Sequence, residues 1–184
     1  MGNLSVYGNA TIAGDVTVDT SQILNMSTGN LASFVSLTIN SLGVYHATSG
    51  TTTITNASEY GVYVNGGTYI GNAGVLNISS VQTGYMGMYV NGGTYTHGDE
   101  TFICHGLDFS GTSVCVRENG ATVQLYNLNI TGSANTLEYV DAVNVTNDFY
   151  IGSGSTFKTY MTACNAGLDS NNLTVIGDVI LDGT

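Results

Sequence analysis

The sequence predicts an all-β chain wound as a single-stranded parallel β-helix, or β-solenoid, and three observations carry that reading. The first is composition. Of 184 residues, 25 are glycine, 41 are serine or threonine and 12 are tyrosine, with no proline and no tryptophan. Thr, Ser, Asn, Gly, Val and Tyr stand where helix surfaces carry Lys, Arg, Glu, Gln, Leu and Ala, which lose little rotamer freedom in a helix. The second is periodicity. Apolar residues alternate with small polar ones over runs of four to six residues, each bounded by Gly, Asn, Ser or Asp, the pattern of strands and turns rather than of helices. The third is internal repetition, which marks solenoids and arrays.

Taken along the chain, residues 1–35 read as short-period rungs that open with Asn3-Leu4-Ser5-Val6. Residues 36–165 hold the core repeats. Gly61-Val62-Tyr63-Val64-Asn65-Gly66-Gly67-Thr68-Tyr69 recurs 26 residues later as Gly87-Met88-Tyr89-Val90-Asn91-Gly92-Gly93-Thr94-Tyr95. A degenerate third copy, Ser113-Val114-Cys115-Val116, follows at the same spacing, with Asn119-Gly120-Ala121-Thr122 in place of the Asn-Gly-Gly-Thr turn after a two-residue insertion. Gly43-Val44-Tyr45 is an earlier partial copy. Ahead of the copies lies a second alternating element, seen in Leu37-Thr38-Ile39, Ile54-Thr55-Asn56, Leu76-Asn77-Ile78-Ser79, Leu107-Asp108-Phe109-Ser110 and Leu128-Asn129-Ile130-Thr131. The repeating unit is therefore strand, short loop, strand, Gly-rich turn, third strand. At about 20 to 26 residues per coil this predicts roughly eight irregular rungs, each strand pairing with its equivalent one turn on at ~4.8 Å. The absence of proline fits a ladder in which each interior strand donates its hydrogen bonds. Residues 166–184 form a C-terminal rung, and the whole chain reads as one domain.

The Leu-x-Ile-Ser, Gly-Val-Tyr-Val and Asn-Gly-Gly-Thr pattern resembles the right-handed parallel β-helix repeats of bacterial autotransporter passengers and other surface adhesins. The segments from Asn3 to Ile12 and from Asn172 to Ile180 resemble the short-period repeats of phage tail fibres. The resemblance covers most of the chain and implies a right-handed coil on a cell surface or a virion. It implies no particular activity, because one fold hosts many functions.

The two ends carry the same element: Asn3-Leu4-Ser5-Val6 matches Asn172-Leu173-Thr174-Val175. Neither end shows an amphipathic capping helix, a proline or a lysine cluster, the usual protection of an open strand edge. Leu4, Val6, Leu173, Val175, Val179 and Leu181 are therefore read as an assembly interface, the last rung of one subunit pairing with the first rung of the next. Termini that merely adjoin further repeats of a longer chain, or a trimeric fibre, are the competing readings.

The formal net charge is −11, with two basic and thirteen acidic residues and a pI near 4.1. That removes the attraction to phosphates on which nucleic-acid binding depends, so no nucleic-acid partner is expected. With 8% charged and 42% hydrophobic residues and a mean hydropathy of +0.16, the composition is that of a chain that folds. No run approaches the ~18 apolar residues of a membrane-spanning helix, so no membrane insertion is expected. Met1-Gly2-Asn3-Leu4-Ser5 lacks the basic start and apolar stretch of a signal peptide. Two origins fit: a chain made whole in a cytoplasm, as virion proteins are, or a piece of a secreted protein with Met-Gly added in cloning.

Three cysteines, Cys104, Cys115 and Cys164, without a Cys-x-x-Cys pair speak against zinc and against a disulfide scaffold. One bridge, Cys104 to Cys115, is compatible with the spacing and not required. Catalysis finds little support. A polysaccharide lyase needs basic residues together with calcium to neutralise a uronate, yet Arg117 and Lys158 stand in different repeats. A glycosidase needs two carboxylates flanking one bond, and Glu118, Glu138 and Asp141 are brought together by nothing in the spacing. Cys104-His105-Gly106 with Asp108 shares only a His-Gly pair with galacturonan hydrolases, and His105 reads as a structural histidine. Asp99 with Glu100, Asp15 with Asp19, and Asp178 with Asp182 read as turn acids rather than cation sites. No cofactor and no metal are expected.

The tyrosines carry more weight. If Val62, Val64, Met88 and Val90 point inward, then Tyr63 and Tyr89 point outward and stack, with Tyr45 extending the row. Tyr69 and Tyr95 form a second row of ambiguous facing. These five are read as a ladder that stabilises the rod or offers a surface to glycans or a neighbouring filament. Eight Asn-x-Ser/Thr sequons, at Asn3, Asn9, Asn25, Asn56, Asn77, Asn129, Asn144 and Asn172, follow from the alternation of small polar residues and need no glycosylation to explain them. The sequence thus points to a non-enzymatic structural or adhesive rod that assembles with itself, outside a cell or on a virion. The alternative is a carbohydrate-active β-helix, a tailspike-like depolymerase or glycan-binding domain.

Overall fold

The computed structural model describes residues 2–55, 57–79, 86–105, 114–121, 123–131, 136–140, 143–158 and 173–182. They form 23 short strands and no helix. The first turn is β1 (Asn3–Ser5), β2 (Ala10–Thr11) and β3 (Asp15–Val18), and the second is β4 (Ile23–Asn25), β5 (Leu31–Phe34) and β6 (Ser36–Ile39). The third is β7 (Val44–His46), β8 (Thr51–Ile54) and β9 (Tyr60–Asn65), and the fourth is β10 (Thr68–Ile70), β11 (Val75–Ile78) and β12 (Met86–Asn91). The fifth is β13 (Thr94–Thr96), β14 (Thr101–His105) and β15 (Val114–Asn119). The stack continues through β16 (Val123–Leu125), β17 (Asn127–Thr131), β18 (Thr136–Val140), β19 (Val143–Val145), β20 (Phe149–Ile151), β21 (Thr156–Lys158), β22 (Leu173–Val175) and β23 (Val179–Leu181). Each ladder between these strands is parallel and joins a strand to the third one after it, so the coil has three faces.

Alternation along each strand builds the core. In β6, β8 and β11 the burial alternates half-buried and buried, as the twofold pleat requires. On the second face Ala32, Thr52, Leu76, Phe102, Leu128 and Phe149 stack inward, one per turn. On the third face Leu37, Val62, Met88 and Val116 do the same. Two features of the element series differ from the sequence reading. Leu37-Thr38-Ile39 belongs with Val62-Tyr63-Val64 on the third face and not with Ile54 and Leu76 on the second. In the second-face column the place expected for Leu107 is taken by Phe102, and Leu107 lies outside the described residues. Alternating runs look alike on every face, so only pairing tells them apart.

The repeat itself is bonded in register: Tyr63 lies beside Tyr89, Asn65 beside Asn91, and Tyr69 beside Tyr95. The third copy pairs Met88 with Val116 and Asn91 with Asn119, so the two extra residues fall before Val114 and not after Val116 as the spacing suggested. Arg117, rather than Cys115, then follows Tyr89 in the row.

The Asn-Gly-Gly-Thr turn has a separate reason for each glycine. Gly66 and Gly92 have φ of +72° and +62°, a left-handed conformation that costs glycine nothing. Gly67 and Gly93 allow close stacking: a Cβ on Gly93 would lie 2.7 Å from the carbonyl oxygen of Gly67. By the register of β15, Gly120 keeps the first role with φ +66°, and Ala121 stands in the second. Its methyl group cannot approach the turn before it so closely, and here the first-face ladder stops at β13 and restarts with β16, β19 and β22. β16 still lies against β13, so the face continues across a seam.

Candidate functional site

The ends come first. Among the described strands β1 bonds only to β4, β2 only to β5, β22 only to β19 and β23 only to β20, so each presents one open edge. The matching elements occupy the same faces: β1 and β22 the first, β2 and β23 the second. Leu4 stacks on Leu24, and Leu173 and Val175 stack on the buried Val143 and Val145, so all three continue interior columns. Val179 and Leu181 continue the columns of Phe149 and Ile151. Among the described residues no further strand covers these positions, and Leu4 is 61%, Val179 55% and Leu181 67% exposed. The N-terminal end is open as a cavity of about 360 Å³ whose walls include Leu4, Val6, Ala10, Ile12, Leu24 and Phe34.

The tyrosines divide into two rows with different surroundings. Tyr45 pairs with Tyr69 and Tyr69 with Tyr95, and all three are buried. This corrects two expectations: Tyr45 does not extend the outer row, and none of these three can serve as a surface for glycans or a neighbour. The Gly-Val-Tyr similarity misled because Gly43 closes a turn into the first face, whereas Gly61 lies inside a third-face strand. The ring centroids are 5.2 Å apart for Tyr45 and Tyr69 and 5.0 Å for Tyr69 and Tyr95.

Interior phenols need partners, and sequence reasoning missed the one that serves two of them. Glu100, 1% exposed, accepts hydrogen bonds from the Tyr69 hydroxyl at 3.0 and 3.2 Å and from the Tyr95 hydroxyl at 3.1 Å. The Tyr45 hydroxyl meets Thr52 Oγ1 at 3.3 Å. Burial pushes the Glu100 carboxyl up to about 8, against the lowering effect of the two tyrosine donors. Burial, and then the charge on Glu100, raises Tyr69 and Tyr95 well above the ordinary phenol value. The sequence grouped Asp99 with Glu100 as turn acids, but the chain turns between them: Asp99, at φ +64°, is exposed beside His97, and Glu100 points inward.

The outer row is Tyr63 and Tyr89, stacked at 5.3 Å and 10°. Tyr60 joins it, 4.8 Å from Tyr63 and 5.6 Å from Tyr89. It was not legible as a member because the alternation breaks: Gly61 and Val62 are both buried, which turns Tyr60 to the same side as Tyr63. Alongside runs an amide ladder in which Asn119 Nδ2 donates to Asn91 Oδ1 at 2.9 Å and Asn91 Nδ2 to Asn65 Oδ1 at 3.2 Å.

Of the remaining candidates, those within the described residues make separate local contacts. The side chains of Cys104, Cys115, His105, Arg117, Glu138 and Lys158, like Asp108 and Asp141 altogether, lie outside the described residues. Glu118 accepts the Ala121 amide at 2.8 Å, Asp15 accepts the Ser36 hydroxyl at 2.7 Å, and Asp182 accepts the Tyr150 hydroxyl at 3.1 Å. Among the described residues no three His, Cys, Asp or Glu side chains gather as a metal site. Comparison with protein-family models, curated proteins and solved structures finds no match to this chain.

Proposed function

We propose that the chain is a non-enzymatic structural or adhesive subunit of an extracellular or virion fibre, joined to further copies of itself through its end rungs. One observation supports this above the rest: the two open apolar ends are built from one repeated element at the same phase of the coil. An edge of β22 and β23 and an edge of β1 and β2 run in the same direction and offer complementary donors and acceptors. Stacked like on like, as Tyr69 is on Tyr95 and Asn91 on Asn65, Leu173 and Val175 would cover Leu4 and Val6, and Val179 and Leu181 would close the open cavity over Ala10 and Ile12. Burying each exposed Leu or Val is worth about 1.5–3 kcal/mol. A heterologous contact of this kind does not close on itself and propagates as a filament.

Lateral contact falls to the outer tyrosines and the asparagine ladder. Because Tyr63 and Tyr89 each turn one face to the other and Tyr60 packs against both, ring edges and the amides are much of what a neighbour meets, which favours rod against rod over the stacking of a sugar ring. With −11 on each subunit, screening by salt promotes such bundling. Electron microscopy and light scattering of the untagged protein at rising concentration test the proposal. Filaments with an axial repeat of one subunit are expected, and protein that stays monomeric at high concentration overturns it.

A further inference from the structure

The seam between β13 and β16 holds a cavity of about 290 Å³, lined by Tyr95, Thr96, His97 and Gln124. Tyr95, one of its walls, is also one of the two donors to the buried Glu100 carboxyl. The turn that carries Glu100 is tight: Gly98 and Asp99 have φ of +52° and +64°, and the Glu100 amide donates to the His97 carbonyl at 2.8 Å. Among the described residues, the titratable groups on the elements around this carboxyl are few. The first face supplies Tyr45, Tyr69 and Tyr95. Its own turn supplies His97 and Asp99, which face each other at 3.8 Å. Across the seam β16 offers Val123, Gln124 and Leu125, with Tyr126 stacked on His97 at 5.7 Å. Among the described residues no ion pair neutralises Glu100.

We propose that Glu100, Tyr69 and Tyr95 form a pH-operated clamp on this seam, closed while the carboxyl is neutral and released when it ionises. A neutral carboxyl holds both phenols in an apolar interior by accepting a hydrogen from one at its carbonyl oxygen and giving its own hydrogen to the oxygen of the other. A carboxylate there has lost its water without gaining a cation, and the cavity at the seam lies against Tyr95, one of its two donors. Ionisation therefore loosens β13 and the turn of residues 97–100 from the strands that follow, while the earlier turns stay closed. This does not depend on end-to-end assembly.

Native-state hydrogen exchange on the full chain tests it, with each amide rate divided by its intrinsic rate at the same pH. From about pH 6 to about pH 9.5, protection in β13 and at the start of β14 should fall about tenfold or more in the wild type and stay nearly constant in Glu100→Gln, with β5 and β8 unchanged in both. Equal loss in wild type and Glu100→Gln overturns the proposal. Tyr95→Phe supplies an independent readout: removing one donor to the carboxylate should move the midpoint of the loss to higher pH, whereas a merely structural role would lower protection at every pH and leave the midpoint where it is.

Discussion

Tyr69 and Tyr95 lie ring over ring in the core, 5.0 Å apart, and both give their hydroxyl hydrogens to the same carboxyl group of Glu100. Two phenols one turn apart thus share one acid. Stability should follow the protonation of that acid. The carboxyl of Glu100 rises from 4.5 to about 8 on folding. Below about pH 4.5 it is protonated in the folded and unfolded chain alike and its stabilisation is complete. As pH rises towards 8 the unfolded chain releases a proton that the folded chain keeps, so stability falls, by an upper limit of about 5 kcal/mol, and then levels off. Thermal unfolding followed from pH 4 to 9 should show this decline in the wild type and lack it in Glu100→Gln; an identical slope in the variant would sink the assignment.

Gly93→Ala, in the turn between β12 and β13, should be costly. The new Cβ would meet the Gly67 carbonyl at 2.7 Å, and overpacking of this kind costs about 1–3 kcal/mol. Ala121→Gly should instead cost little and extend amide protection from β13 into β16. Denaturant titration and hydrogen exchange on the two variants read the contrast, and a neutral Gly93→Ala would contradict the close stacking of the turns.

The column position of Phe102 is open to a direct check. It is fully buried between Leu76 and Leu128, so Phe102→Ala should remove about 3–5 kcal/mol. Its neighbour Ile103 points to the other side of the sheet, and Ile103→Thr should stay within about 1 kcal/mol of the wild type. Comparable losses at both positions in a urea titration would mean that the register is wrong.

At the ends, Leu4→Asp and Leu181→Asp place a charge where the proposed junction buries apolar side chains. Either should abolish filaments while shifting the unfolding midpoint little, because both residues are exposed in the single subunit. Mixing the two variants should not restore long filaments, since each can contribute one sound end only. Filaments of normal length from either variant would exclude the end-to-end contact.

For the outer row the expected effect is smaller. Tyr89→Ala removes two ring contacts at the surface, with Tyr63 and with Tyr60, each worth about 0.5–1.5 kcal/mol. Tyr69→Ala, by contrast, opens a cavity in the core and takes a donor from Glu100, and should exceed that loss. Chemical denaturation of the two variants distinguishes the rows.

Much of this was legible in the residues. Glycine, threonine and twofold alternation specify strands and turns through local backbone preference and the pleat, and the 26-residue repeat from Gly61 to Tyr95 specifies that its copies stack. Matching ends at Asn3 and Asn172 were likewise visible as text. What the residues alone did not determine was the face to which each strand belongs. Tyr45 and Tyr63 follow the same Gly-Val, yet one is interior and the other outward, because turns of variable length place their strands at different corners of the coil. Glu100 is the sharper case. An acid beside Asp99 in a polar turn reads as solvated, and only the stacking of β7, β10 and β13 brings two phenols from separate turns to the point where that carboxyl enters the core. Local chemistry determined the elements; the inward or outward direction of a side chain depends on which strand lies beside it, and that is a property of the folded coil.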